Sequence, residues 1–175
     1  MTVQTKTRVK RYAVYGVMLL LAYILQTSLP IFPEILAVRP VLLISAAVCI
    51  AMFEGELVGA VAGLAAGALW DTVTTTADGY NAFYLMIACA VCGVLLRVFM
   101  RNNIITYIMM NTGITTLYFL SYVLFFVTAR GIDGGAEMLL KFYLPMSVYS
   151  LLLTPVWYVI IRAVNRKFSF NYTEY

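Results

Sequence analysis

Histidine is absent from the chain, which removes the commonest general base and the commonest metal ligand together. Charge is scarce. Only 11% of residues are charged, against about a quarter in a soluble domain. Cysteine occurs three times, at positions 49, 89 and 92, each inside an apolar run. A secreted disulfide framework is therefore not indicated. No nucleophile–base pair, phosphate loop or metal-ligand spacing occurs, so neither catalysis nor a cofactor is expected. The chain also lacks a linker, a low-complexity tract and an internal repeat. One domain over residues 1–175 is the economical reading.

What is present is apolar. Hydrophobic residues make up 63% of the 175, and the mean hydropathy is +0.90. This composition specifies an integral membrane protein, with almost nothing left for a soluble part. A span needs about 20 apolar residues, and six runs qualify or come close. They are Tyr12 to Leu29, Pro40 to Phe53 (short), Leu57 to Val73, Tyr80 to Phe99, Ile104 to Thr128, and Leu139 to Ile161. The expected fold class is all-α, a polytopic membrane bundle of six helices. The first run is too long for a signal peptide, and no small-residue cleavage site follows it. The segment from Pro30 to Pro40, punctuated by proline and amphiphilic, is expected at the outer interface.

The basic residues set an orientation. Nine of the twelve, Lys6, Arg8, Lys10, Arg11, Arg97, Arg101, Arg162, Arg166 and Lys167, fall on one side of a six-span chain. The positive-inside rule then expects both termini in the cytoplasm, as a basic stretch over 1–11 and a tail over 162–175. The net charge of +4 suits orientation in a bilayer better than nucleic-acid binding.

The stretch GELVGAVAGLAAGALWD places glycine at 55, 59, 63 and 67, and the same step lands on Asp71. Four residues advance a helix by about 400°, so Gly55, Gly59, Gly63 and Gly67 form one slowly drifting stripe. Packing in lipid gains little from burying leucine, and small residues let two backbones approach instead. The stripe is a helix-packing or partner interface, in this chain or another. Asp71 falls near the outer end of its helix, where a carboxylate wants a partner. Asn81 lies across a short loop, and Arg39 starts the second run, so Arg39, Asp71 and Asn81 are candidates for one outer polar cluster. An Asp71–Arg39 pair is the specific expectation, with a carboxylate reaching the headgroups as the alternative.

Other features read as packing. Cys89 and Cys92 form a C-x-x-C in mid-span, where cysteine behaves as a small apolar residue. Asn111, Thr112, Thr115 and Thr116 give the fifth helix a polar patch suited to interhelical hydrogen bonds. Pro145 and Pro155 are expected to kink the sixth helix.

The order of features resembles the MreD family. A basic N-terminus leads to a span ending LQTSLP, then to Arg39-Pro40-Val41-Leu42-Leu43. A G-x3-G-x3-G-x3-D helix follows, and then D-G-Y-N-A-F. The family often has an aspartate after the R-P pair, where this chain has Val41. The resemblance implies a non-enzymatic partner of MreC in the machinery that elongates the bacterial cell wall. That machinery includes the actin-like MreB, the glycosyltransferase RodA and a class B penicillin-binding protein. It also implies a fold similar to the substrate-binding components of energy-coupling-factor transporters. A small-ligand carrier of that transporter type is the alternative function. Small-xxx-small pairs on the first helix would favour the carrier, and this helix instead pairs Ala13 with Val17 and Gly16 with Leu20.

Overall fold

A computed structural model describes residues 3–27, 40–74, 79–99, 102–128, 141 and 143–170. Six α-helices account for nearly all of them. They are α1 (Val3–Thr27), α2 (Leu42–Glu54), α3 (Glu56–Asp71), α4 (Tyr80–Val98), α5 (Ile104–Tyr122) and α6 (Leu144–Phe170). Beyond Tyr122, α5 widens into a π-helical stretch over Val123–Thr128. Successive helices alternate in direction, because α1, α3 and α5 run from the Glu54 end of the bundle towards the Asp71 end and the others return. The start of α1 and the finish of α6 therefore share the Glu54 end.

Helix α2 is the axis of the bundle. Every residue from Leu42 to Met52 is buried, and α2 touches each of the other five helices. Its sequence, LLISAAVCIAMFE, is apolar on all sides, as a fully enclosed helix requires. At 13 residues it is about 20 Å long, less than the roughly 30 Å of a bilayer's hydrocarbon. It tolerates that shortfall because its neighbours, not lipid, surround it. Among the described residues, four helical stretches are long and apolar enough to cross a membrane: Arg8–Thr27, Tyr80–Val98, Ile104–Val127 and Pro145–Lys167.

Some expected boundaries move. Helix α6 continues through Phe170, so part of the expected tail is helical. Pro145 is the second residue of α6, in a first turn, where proline is tolerated; residues 141 and 143 just before it are π-helical. Pro155 lies inside the helix.

Candidate functional site

Among the described residues, helices α3 and α4 make the most extensive contact, and their register explains the glycines. A methyl group on Gly67 would strike the backbone of Asn81 and Ala82, and one on Gly63 the backbone of Leu85. On Gly59 it would stand 2.6 Å from the Ala51 Cβ and 3.1 Å from the Cys89 carbonyl oxygen. On Gly93 it would stand 2.5 Å from the Glu56 nitrogen and 2.7 Å from the Gly55 carbonyl carbon. As the α3 number falls by four, the α4 number rises by four. The two backbones thus stay close for the length of α3, and α4 of the same chain occupies the stripe. Cys89 belongs to this seam as its small residue on α4, and both Cys89 and Cys92 are buried.

Gly55 has another task. It turns α2 into α3 as a single residue at φ +86°, with nothing within 4 Å of where its Cβ would be. A side chain there would be strained by the backbone, not by a neighbour.

Asp71 closes the seam. Its Oδ1 accepts the Asn81 N–H at 3.2 Å, and its Oδ2 accepts the Ala82 N–H at 3.0 Å. These are first-turn donors of α4, which have no helical partner. The residue that should cap them, Gly79, sits at φ +84° and has no side chain. Asp71 supplies the cap from α3 and places its negative charge at the positive end of the α4 dipole. Asn81 extends the cluster. Its amide donates to Thr74 Oγ1 at 3.1 Å, and its Oδ1 accepts from the Tyr118 hydroxyl at 2.5 Å. Trp70 stacks on Tyr118 with centroids 5.0 Å apart. The structure thus brings Asp71 and Asn81 together. Arg39 lies outside the described residues.

Helix α2 is capped in the same borrowed fashion. Gln26 Oε1, from α1, accepts the N–H groups of Leu42 and Leu43 at 2.9 and 3.1 Å. Ser150 Oγ, from α6, accepts the Val41 N–H at 2.8 Å. Mid-bundle, the Asn111 amide donates to Ser45 Oγ at 3.1 Å and Thr154 Oγ1 at 2.9 Å, joining α5 to α2 and α6. Thr112 donates to the Ile108 carbonyl of its own helix. Thr115 is buried and Thr116 exposed.

At the opposite end Glu54 is the hub. Its side chain is 4% exposed. Arg11 donates to Oε2 at 2.8 Å, while Tyr15 and Asn165 donate to Oε1 at 2.9 and 3.3 Å. One carboxylate thereby ties α1 and α6 to the end of α2. Beside it Arg97 donates to Glu56 at 2.6 Å. The Glu56 carboxyl is held below the usual carboxylate range, first by its own backbone N–H and then by Arg97.

Sequence reasoning missed Gln26, Glu54 and Gly93. A lone glutamine near the end of an apolar helix is a usable signal, since a buried amide needs partners. Glu54 carries a similar signal, an acid that directly ends a largely apolar run. Helices α4 and α5 are consecutive but scarcely meet, and they leave an apolar groove of about 590 Å³ lined by Tyr84, Val91, Met109 and Gly113.

The polar groups described here cap helix ends and join helices, and the glycines set a helix separation. Together they define a structural membrane protein, a multi-pass helical bundle. The chain belongs to the MreD family, since the family model for rod shape-determining protein MreD matches residues 7–168. It is a non-enzymatic protein that acts in determining rod shape during cell elongation. Comparisons with curated proteins and with solved structures gave no match.

Proposed function

We propose that this chain is the membrane subunit that binds MreC within the wall-elongation complex, alongside MreB, RodA and a class B penicillin-binding protein. In this reading its fold is similar to energy-coupling-factor substrate-binding components, and both termini face the cytoplasm. The family match over residues 7–168 carries the reading. The architecture supports a scaffold, because buried polar groups are spent on fixing helices against one another. Partner binding must use a surface other than the glycine stripe, because α4 already fills it. Affinity recovery of the tagged chain from native membranes tests the proposal. MreC should co-purify in amounts comparable to the bait. Recovery of ATP-binding-cassette ATPases in place of MreC would overturn the scaffold reading in favour of a carrier.

A further inference from the structure

At the Glu54 end, the start of α5 and the second half of α6 flank a cleft of about 650 Å³. Arg162 and Arg166 line it, one turn apart on the same face of α6. Tyr158 lies one turn earlier, with the Arg162 guanidinium carbon 5.7 Å from its ring centre. The three described carboxylates are all engaged elsewhere: Glu54 with Arg11, Glu56 with Arg97, and Asp71 with the α4 backbone. Neither Arg162 nor Arg166 has a counter-ion among the described residues. Asn103, at the N-cap position of α5, lines the same cleft, and its side chain makes no cap hydrogen bond. The first turn of α5 therefore adds backbone donors and the positive end of a helix dipole to two guanidinium groups.

The surroundings are those of a lipid. The cleft sits where the candidate spans Ile104–Val127 and Pro145–Lys167 meet their common end. Two of its lining residues, Ile105 and Val159, are 69% and 62% exposed, so an apolar surface continues directly from the cationic rim. A free anion would use only the rim. A headgroup with attached acyl chains would use both.

We propose that this cleft binds the phosphate of an anionic phospholipid, held by Arg162, Arg166 and the first turn of α5, with its chains along Ile105 and Val159. Basic pockets between membrane helices recognise headgroups in this way.

Native mass spectrometry of the full chain, with phosphatidylglycerol or phosphatidylcholine added, tests it. Phosphatidylglycerol should be retained preferentially. Arg162→Gln and Arg166→Gln should each weaken retention roughly five-fold, or about 1 kcal/mol. Arg166→Lys should keep most of it, and serves as the informative variant if a glutamine variant does not fold by circular dichroism. The Arg8→Gln/Lys10→Gln double variant should bind as wild type. Equal retention of the two lipids, or an equal loss in that double variant, would overturn the site. Inorganic phosphate separates the two sources. If phosphate alone binds with the same arginine dependence while phosphatidylglycerol shows no preference, the lipid assignment fails.

Discussion

The glycines of α3 differ in what a side chain would meet. At Gly63 the obstacle is the backbone of Leu85, which cannot turn aside as a flexible side chain can. Gly63→Ile must push α3 and α4 apart, and overpacking of this kind typically costs ~1–3 kcal/mol. Leu64, one residue on, is exposed, so Leu64→Ile should change little. Thermal unfolding in detergent and cell shape should both separate the two variants, and equal behaviour would mean that the seam does not constrain the fold. Gly113→Ala is a further control, because nothing lies within 4 Å of its Cβ position. Asp71→Ala removes the acceptor for two first-turn N–H groups, and losing a cap costs about 0.5–2 kcal/mol. If Asp71→Ala melts at the wild-type temperature, the carboxylate is not the cap. The Asp71–Arg39 pair remains a proposal, tested by whether the charge swap at the two positions recovers any of this loss.

At the scale of elements, the helices were largely legible and their fastenings were not. Hydropathy located all six helices, and the four-residue glycine period marked one face of α3, on which Gly59, Gly63 and Gly67 meet close neighbours. It could not identify the partner, since a stripe records only that something comes close. The glycine-like roles of Cys89 and Gly93 follow from the α3–α4 register, which no local pattern encodes. The caps were hidden for a related reason. Gln26 precedes Leu42 by 16 residues and Ser150 follows Val41 by 109, beyond the reach of any motif within one helix. These distant caps lead to a prediction. Gln26→Leu keeps the size of the side chain but strips two buried N–H groups of their acceptor, at roughly 1–3 kcal/mol for each group left unpaired. It should lower the melting temperature more than Gln26→Glu, which keeps an acceptor. The reverse order would show that α2 does not depend on α1 for its start. At the other end, Glu54→Leu strands Arg11, and removing one member of a buried pair typically costs ~3–5 kcal/mol. The Arg11→Met/Glu54→Leu double variant should melt above Glu54→Leu alone. If it does not, Arg11 reaches solvent without penalty.

For the whole molecule, the alternation of six helices puts the start of α1 and the finish of α6 at one end, and the proposed orientation turns that end to the cytoplasm. Cysteines placed at Lys6 and Lys167 in a cysteine-free background should resist labelling from outside intact cells, and efficient labelling at both would reverse the orientation. The enclosure of α2 has a consequence for how the protein is made. A 13-residue apolar helix is a weak membrane segment by itself, being well under the roughly 20 residues a span requires. Its N–H caps come from α1, already synthesised, and from α6, which is synthesised later. The short helix is therefore held by partners made both before and after it, and the single-residue turn at Gly55 pairs it with α3 as a hairpin. The Ser150 cap can form only when the sixth helix arrives. Arrival of α6, not insertion of each segment in turn, completes the fastening of α2.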